Sequence, residues 1–527
     1  MINDFVRMLW EQQVDKVVML TNLIEEGMVK CEKYWLDDSP AQFGEIQVRM
    51  IAIQTFADYV IRVLEMSKPR EAVAVQTFTH FHFTSWPDKG VPVSPWGLVD
   101  FEQRVFAHPT SRPIVVHCSA GVGRTGTFIA LHNIIREAKK TGYVDFLKTV
   151  VKLRQDRNLM IQTMEQYWFL HKAAQIAIVC IGTTVTSNDI VGRIKQLDEK
   201  SMSGMTKMEA EFRDVSNVND DFKEDFNKAE EYSGEDGNVY QNSGENIDKV
   251  KNRFSNIAPK QKYRPVLACG TTDMRDYINA VFLPGFKKQS QHLLTQLPMP
   301  TTVVDFWRLV TQYNVSLIVA FEVHTMVTDI TFGNYLPIAA NQKLNCSPYK
   351  IKSMSLTKEA LWEEQVLMVE TEKRKSLFSL SPNNDESQTV VHLKCLFTEL
   401  DPDKLLSFLR QIRSYNALAQ GRIVYTCSNG AKYSGLACVL SLLLDRMEHD
   451  SCITVPLVVG TVKTIRPEVI PNLDHYRVLY DVLGRYSDSS VTYENIGKVE
   501  QNGAVVSKVS ADSFFNEDRS ENVYANF

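Results

Sequence analysis

Residues 113–126 read PIVVHCSAGVGRTG, an apolar strand followed directly by a loop of small residues. From Arg124 onward the pattern changes, and apolar residues recur on one broad face of a helix. Those apolar residues are Phe128, Ile129, Leu131, Ile134 and Ile135. Elsewhere in the chain, strand-like apolar runs also mix with helix-like periods. This mixture predicts an α/β (α+β) fold, in which a twisted mixed sheet is flanked by helices.

The loop between strand and helix has the composition of an oxyanion-binding site. Small residues allow successive backbone N–H groups to point inward around a tetrahedral anion. The N-terminus of the following helix adds a favourable potential for negative charge. We therefore predict that this phosphate loop binds its anion through the following residues. They are Ser119, Ala120, Gly121, Val122 and Gly123.

Three side chains beside the phosphate loop have complementary chemistry. The field of the loop should lower the pKa of the Cys118 thiol, so that a nucleophilic thiolate exists near neutral pH. Arg124 can make a bidentate contact with phosphate oxygens. Thr125 can steady the thiolate and later assist its departure. Together they predict a cysteine that accepts a phosphoryl group covalently, with no need for a metal or cofactor.

Three pairs of segments in the chain are similar to each other. DFVRMLWEQQVDKVVML at 4–20 is similar to DFWRLVTQYNVSLIVAF at 305–321, an offset of 301 residues. IVVHCSAGVGRTG at 114–126 is similar to IVYTCSNGAKYSG at 423–435, an offset of 309 residues that MEQYWFLHKA and LDHYRVLYDV share. A near-constant offset over three separated blocks indicates a duplicated domain.

The repeat suggests domain boundaries. We expect a first domain at 1–182, a connector at 183–206, a second domain at 207–486 and a polar, disordered tail at 487–527. The second copy has almost a hundred residues before its first repeated block, whereas the first copy has three. We therefore expect the first domain to lack its N-terminal part, either because the chain is a fragment or because that part is dispensable.

The motif HCSAGVGRT at 117–125 resembles the phosphate loop of the protein tyrosine phosphatases, in particular the tandem-domain receptor type. VKCEKYWLDD at 29–38 and ADYVIRVLEM at 57–66 are similar to the receptor group with MAM ectodomains. The similarity covers roughly residues 1–180 and 207–485. It implies two tandem phosphatase-like domains and, for the first, hydrolysis of phosphotyrosine in partner proteins.

The resemblance assigns roles outside the phosphate loop. FTSWPDKGVP at 83–92 matches the mobile acid loop of the family, which makes Asp88 the general acid that protonates the tyrosine oxygen. IQTMEQY at 161–167 matches the glutamine loop of the family. Gln162 and Gln166 would therefore position the hydrolytic water.

A further segment, EEGMVKC at 25–31, matches the part of the family that braces the active-site arginine. The resemblance gives this role to Glu25, with Lys30 nearby, whereas Glu26 departs from the commoner basic residue. The Lys-Asn-Arg-Tyr loop of the family, which walls the phosphotyrosine pocket, has a counterpart only in the second copy, at 251–254. This absence is the basis of the non-enzymatic alternative given below.

The second copy lacks several catalytic groups at once. Its cysteine is Cys427, but Tyr433 replaces the arginine and offers no guanidinium fork. Asp401 is the candidate acid, preceded by Glu-Leu rather than Trp-Pro, while Pro471 and His475 replace the two glutamines. We predict an inactive second site in a regulatory or binding domain. The alternative is a stable passenger domain with no role of its own.

Composition limits the partners and the compartment. The 58 basic and 63 acidic side chains give a net charge of 58 − 63 = −5, which gives no reason to expect nucleic acid as a partner. Nine cysteines without a repeated spacing indicate thiols in a reducing compartment. No signal peptide or membrane span is visible, so we expect a cytoplasmic chain. The full-length parent could still be a single-pass receptor with these domains inside the cell.

Three tyrosines in polar segments share the pattern Tyr-x-Asn. These are Tyr240, Tyr493 and Tyr524. Such sites, when phosphorylated, resemble ligands of Src-homology-2 adaptors, which hold the phosphate on an arginine. Short patterns also arise by chance, so ordinary tyrosines in disordered segments are the alternative.

The leading functional hypothesis is therefore protein tyrosine phosphatase activity in the first domain. The runner-up is a non-enzymatic phosphotyrosine-signalling scaffold, in which the second domain and tail recruit partners. A third hypothesis is a dual-specificity or lipid phosphatase. The Trp-Pro-Asp segment, the glutamine loop and the length of the domain argue against it.

Overall fold

The computed structural model describes residues 1–69, 75–232, 250–268, 276–321, 332–371, 386–416, 421–450 and 452–500. Residues 187, 220–232, 386, 416 and 489–500 are described by their backbone alone. The chain divides into two compact units. The first is built on Met1–Thr184, and the second on Val185–His449 with Ile453–Asp488.

The helices of the described residues are α1 Ile2–Glu11, α2 Pro95–Phe106, α3 Gly123–Thr141, α4 Phe146–Asp156, α5 Met164–Val179, α6 Ile190–Leu197, α7 Lys207–Tyr232, α8 Val303–Gln312, α9 Pro402–Asn416, α10 Lys432–His449, α11 Val455–Ile465 and α12 Leu473–Glu500. Short 3₁₀ turns lie at Ser187–Asp189 and Gln261–Tyr263. In this part of the chain, no helix is long and apolar enough to cross a membrane.

The strands of the first unit are β1 Lys16–Met19, β2 Ile24–Glu25, β3 Met28–Val29, β4 Ala41–Phe43, β5 Ile46–Thr55, β6 Tyr59–Ser67, β7 Val75–Phe83 and β8 Ile114–His117. Those of the second unit and its borders are β9 Val185–Thr186, β10 Ala280–Leu283, β11 His292–Gln296, β12 Val315–Phe321, β13 Lys343–Cys346, β14 Tyr349–Lys358, β15 Trp362–Thr371, β16 Glu386–Cys395, β17 Arg422–Cys427 and β18 Cys452–Ile453.

One six-stranded mixed sheet forms the centre of the first unit, in the order β4-β5-β6-β7-β1-β8. β1 runs parallel to both β7 and β8, whereas β4 to β7 form an antiparallel meander. The sequence KVVM of β1 is buried at all four residues, as expected for a central parallel strand covered on both faces. The carboxyl ends of β1, β7 and β8 therefore meet at one edge, where the loops that follow them lie together.

The second unit has an eight-stranded mixed sheet in the order β10-β11-β17-β12-β16-β15-β14-β13. Four of its strands, β11, β17, β12 and β16, run parallel, and the last three of them repeat the order of β8, β1 and β7. Helices surround each sheet, with α3 following β8 and α10 following β17. The expected α/β class, with a mixed sheet in each of two domains, is confirmed.

Apolar side chains from helix and sheet form the cores that hold these elements together. In the first unit, one cluster places the amphipathic helix α1 against β1 and β5 to β7. Its fully buried members include Val6, Leu9, Val17, Met19, Leu64 and Phe78. In the second unit, the repeat of α1 is α8, which packs its apolar face on β12 in the same way. That cluster includes Phe306, Trp307, Leu309, Val310, Val315 and Ile318.

Within the expected connector at 183–206, the second compact unit begins at Val185. This segment contains α6, whose Ile190 and Leu197 are fully buried. Arg193 of α6 also pairs with the buried carboxylate of Glu211. An eight-residue helix carries too few apolar positions for its period to be distinguished from a polar linker.

Within the expected tail at 487–527, α12 continues to Glu500. The polar composition of 487–500 led to this expectation. Composition alone does not end a helix when no proline interrupts it, since each added residue gains one backbone hydrogen bond. Residues 501–527, the linker-like segment at 233–249 and the tyrosines Tyr240 and Tyr524 lie outside the described residues.

The strand that precedes the loop cysteine, Cys118 in the first unit and Cys427 in the second, differs between the units. Among the described residues, β8 pairs only with β1, whereas the equivalent β17 pairs with β12 on one side and β11 on the other. All four residues of β8 are partly exposed, but Ile423–Cys427 of β17 are all buried. The backbone N–H groups on one side of β8 therefore have no strand partner in the described part of the chain.

We predict that peptide amides of residues 114–117 exchange hydrogen with solvent at least about ten-fold faster than those of residues 423–427. The physical reason is that β17 has ladder hydrogen bonds on both sides and β8 on one. Hydrogen–deuterium exchange with mass spectrometry of the whole chain measures both peptides in one sample. Equal protection of the two strands would contradict the assignment of β8 as an edge strand.

Candidate active site

The phosphate loop lies between the end of β8 and the first turn of α3, as its sequence predicts. Gly121 has a φ of +69°, a left-handed conformation that a glycine adopts without steric cost. Backbone N–H groups of Gly121, Val122 and Thr125 point to the sulfur of Cys118. Ser119 and Ala120, also predicted to bind the anion, are exposed at the start of the loop. The loop is thus a ring of inward donors around a thiol.

The environment of Cys118 favours its thiolate. Partial burial opposes ionisation, but the hydroxyl of Thr125, which lies 3.2 Å from Sγ, and the inward N–H groups outweigh this penalty. The pKa of the Cys118 thiol is therefore below its ordinary value. By contrast, burial raises the pKa of the Cys31 thiol to about 11. The two partly exposed thiols thus differ in pKa, and the thiol with the lowered pKa is the predicted nucleophile, Cys118.

Arg124 is held in place by a bidentate ion pair with Glu25. Its Nη1 and Nη2 atoms lie 2.7 and 2.9 Å from the two carboxylate oxygens of Glu25. Nη1 also donates to the carbonyl oxygen of Leu20, 3.1 Å away. This places the predicted brace and the predicted phosphate binder in direct contact. The paired fork geometry fixes the plane of the guanidinium.

The carboxylate of Glu25 is buried and hydrogen-bonded on several sides. Burial by itself would raise its pKa, but the donors around it prevail and lower the pKa to about 2. These donors are the Arg124 guanidinium, the backbone N–H of Asn22 at 2.9 Å and the hydroxyl of Thr21 at 3.1 Å. Glu25 therefore remains an anion across the physiological pH range, and Arg124 keeps its partner.

The acid loop lies directly against this ion pair. Nη2 of Arg124 donates to the carbonyl oxygens of Pro87 and Asp88, at 3.0 and 3.2 Å. The carboxylate of Asp88 pairs with Nζ of Lys30 at 2.8 Å and lies 3.8 Å from Arg124. The structure thus brings Asp88 to the arginine of the phosphate loop. It also shows that Lys30, which the sequence analysis placed only near Glu25, contacts Asp88 directly.

Trp86 anchors the acid loop by packing. Its side chain is almost fully buried, and its ring contacts Phe83 and Phe169 with centroid distances of 6.3 and 5.8 Å. Its indole N–H donates to the carbonyl of Gly90, 3.3 Å away, where φ is +78°. The loop therefore turns around a buried aromatic side chain, and its tip carries Asp88.

The glutamine loop contacts the phosphate loop from the other side. The amide of Gln166 is buried, and a Cβ atom at Gly123 would lie 2.9 Å from its Nε2. The absence of a side chain at Gly123 therefore permits this approach. Oε1 of Gln166 accepts from the backbone N–H of Gln162 at 2.9 Å, while Gln162 itself is exposed. Both glutamines are placed beside the loop, one inward and one at the surface.

Two contacts of the phosphate loop were not predicted. The hydroxyl of Tyr34 is hydrogen-bonded to Nε2 of His117 at 2.9 Å, and Nδ1 of His117 lies 3.3 Å from the carbonyl oxygen of Cys118. Arg157 donates to the carbonyl of Ala120 at 3.1 Å. Arg157 had a detectable signal, because it and Arg466 are 466 − 157 = 309 residues apart, the same offset as the two cysteines.

The corresponding loop of the second unit is closed on itself. Oδ1 of Asn429 accepts hydrogen bonds from the backbone N–H groups of Ala431 and Lys432, at 3.1 and 3.0 Å. The same oxygen lies 3.2 Å from the thiol of Cys427, which is also 2.9 Å from the hydroxyl of Ser434. A side-chain oxygen of the protein thus takes donors that an oxyanion would need.

The other residues of the second site have structural contacts. The ring of Tyr433 packs parallel to that of Phe321, with centroids 6.4 Å apart. Asp401 accepts from the backbone N–H groups of Asp403 and Lys404 at 3.0 and 2.9 Å. It therefore caps the beginning of α9. Neither side chain is placed as the arginine or the acid of the first site.

Comparison with known proteins matches the chain to one family. A family model described as protein-tyrosine phosphatase matches residues 1–175 and 248–485. Receptor-type tyrosine-protein phosphatase zeta of Homo sapiens is 28% identical over 495 residues, which cover 91% of this chain and 20% of that protein.

Two further relatives give the same picture. Receptor-type tyrosine-protein phosphatase U of Gallus gallus is 29% identical over 506 residues, or 93% of this chain and 33% of the relative. Receptor-type tyrosine-protein phosphatase F of Danio rerio is 29% identical over 505 residues, which cover 93% of this chain and 25% of the relative. The chain therefore spans a third or less of the length of these relatives. The extent of the family match shows that the chain belongs to the protein-tyrosine phosphatase family.

Proposed function

We propose that the first unit hydrolyses phosphotyrosine in proteins through a phosphocysteine intermediate on Cys118. The observation that carries this proposal is the thiol itself. It lies inside a ring of N–H donors, has a lowered pKa and is followed by an arginine with a fixed guanidinium plane. A thiolate surrounded by donors for a tetrahedral dianion is suited to phosphoryl transfer rather than to acyl transfer.

In the first step, the Cys118 thiolate attacks phosphorus. The S–P bond forms as the P–O bond to the tyrosine ring breaks, and Asp88 gives its proton to the leaving phenol oxygen. The N–H groups of the loop and Arg124 hold the phosphoryl oxygens. Contact of Arg124 with the backbone of the acid loop supports this role, because it holds Asp88 at the edge of the phosphate loop.

In the second step, a water attacks the phosphocysteine. Asp88 accepts a proton from this water, the S–P bond breaks, and inorganic phosphate leaves together with the regenerated thiolate. The hydroxyl of Thr125, at 3.2 Å from the sulfur, stabilises that thiolate. Gln162 and Gln166 orient the water from the side of the glutamine loop.

For the second unit we infer a non-catalytic role. It retains Cys427, but Tyr433 supplies no guanidinium and Asn429 occupies loop donors. Loss of the phosphate clamp together with internal capping of the loop favours a regulatory or binding domain. A passenger domain without a separate role is the alternative.

Partners and location follow from the same chemistry as proposals. Phosphotyrosine proteins are the substrates, and phosphorylated Tyr240, Tyr493 and Tyr524 would recruit Src-homology-2 adaptors. The eight cysteines of the described residues are not paired in disulfides with one another, which supports a reducing, cytoplasmic location. If the first unit lacks activity, the remaining function is that of a non-enzymatic scaffold.

The first prediction concerns the nucleophile. Cys118→Ser should lower hydrolysis of a phosphotyrosine peptide by the whole chain at least about a thousand-fold, because a serine hydroxyl is not ionised near neutral pH. Release of inorganic phosphate is the measurement. Cys31→Ser is the matched control and should keep wild-type turnover. A wild-type rate equal to that of Cys118→Ser at every pH would leave the scaffold as the function of this chain.

The second prediction concerns the pH dependence of the thiol. The thiolate fraction rises with pH through the pKa, so a lowered pKa makes Cys118 alkylate at lower pH than an ordinary cysteine. Iodoacetate labelling with peptide mass spectrometry should modify Cys118 near neutral pH while Cys31, with a pKa of about 11, remains unlabelled. Thr125→Val removes one hydrogen bond to the thiolate and should move half-maximal labelling of Cys118 to higher pH. An unchanged profile in Thr125→Val would show that this hydroxyl does not stabilise the thiolate.

A further inference from the structure

The hairpin β2–β3 contacts the acid loop through two ion pairs. Its turn consists of Glu26 and Gly27, both with positive φ, as in a two-residue hairpin turn. Oε2 of Glu26 lies 3.2 Å from Nζ of Lys89, and Nζ of Lys30 lies 2.8 Å from the carboxylate of Asp88. The same hairpin carries Glu25, the partner of the active-site arginine.

We propose that Glu26 and Lys89 form a latch that holds the acid loop in its present position, with its backbone against Arg124 of the phosphate loop. Neither side chain touches the reacting atoms, so both are positioning residues. The proposal that they position the general acid rests on the function proposed above. The latch itself can be tested on the exposure of the loop backbone to solvent, without a measurement of turnover.

The order of charges along the hairpin and the acid loop explains why two ion pairs fix their alignment better than one pair would. The hairpin presents an acidic residue at its turn and a basic one at its end, and the acid loop presents Asp88 followed by Lys89. The observed alignment pairs each charge with its opposite. A shift that brought Glu26 to Asp88, or Lys30 to Lys89, would place like charges together. The Glu26–Lys89 pair therefore fixes the alignment in which Asp88 faces the site.

The size of the effect is limited by solvent. The side chain of Lys89 is 83% exposed and that of Glu26 57% exposed, so salt and water weaken their attraction. An exposed pair of this kind shifts a two-state ratio by about two- to five-fold. The latch therefore adjusts how often the acid loop occupies this position, and a variant that lacks the latch can still form the Arg124 contacts to the loop backbone.

The backbone at Glu26 provides a control. With a φ of +46°, Glu26 occupies the left-handed region, which asparagine tolerates better than glutamate. Glu26→Asn therefore removes the charge without straining the turn. We expect its thermal stability to be equal to or higher than that of the wild type, whereas the latch is lost. If Glu26 had only a structural role, thermal stability and the protection of the acid loop would change together in this variant.

The test measures hydrogen exchange of a peptide covering residues 84–93 in the whole chain. Glu26→Lys, Lys89→Glu and Glu26→Asn should each exchange about two- to five-fold faster there than the wild type. The double reversal, Glu26→Lys with Lys89→Glu, should restore the wild-type rate. High salt should reduce the difference. The peptide of residues 423–427 is the internal control and should not change.

Turnover provides the second readout. General acid catalysis matters most when the leaving group is a poor one. The single variants should lose about two- to five-fold in kcat on phenyl phosphate, and less on an aryl phosphate whose phenol has a low pKa. Unchanged exchange in every single variant, or a double reversal that fails to restore it, would overturn the latch. If exchange behaves as expected but no turnover depends on Cys118, the latch stands and the proposed phosphatase function fails.

Discussion

The ion pair between Glu25 and Arg124 is the contact on which the arrangement of the first site depends. Both side chains are nearly withdrawn from water, with exposures of 4% and 11%. Removing either partner would leave a charge buried without its counterpart, which costs far more than losing a surface pair. Because Arg124 also donates to the backbone of the acid loop, three segments from distant parts of the chain meet at one guanidinium.

The second unit shows what the same scaffold becomes without that contact. The strand, the loop and the helix persist around Cys427, and the parallel strands have the same order. Yet a tyrosine packs where the arginine would stand, and Asn429 satisfies the loop from within. The fold is maintained by the apolar strands and helices, whereas the chemistry depends on a few polar side chains at their ends. A unit that loses these polar side chains therefore keeps its apolar core and its fold.

Local features of the site could be predicted from the sequence because their causes are local. The small residues of the phosphate loop, the cysteine at its start and the arginine at the helix N-terminus are contiguous. The repeat offset predicted the duplicated domain. The helices within 183–206 and at the beginning of 487–527 were not predicted, because a short helix and a polar helix have weak periods. Only packing against buried side chains, as for Ile190 and Leu197, decides that the first of them belongs to the second unit.

By itself, therefore, the sequence determined the fold class, the duplication, the candidate nucleophile and the loss of the arginine in the second copy. Apart from the Glu25–Arg124 pair, which the family resemblance implied, it did not determine which charges meet. Glu26 and Lys89 are 89 − 26 = 63 residues apart, and Tyr34 and His117 are 117 − 34 = 83 residues apart. No spacing rule links residues so distant. Only the tertiary structure brings the hairpin, the acid loop and the phosphate loop together, because the parallel strands β1, β7 and β8 end at one edge of the sheet.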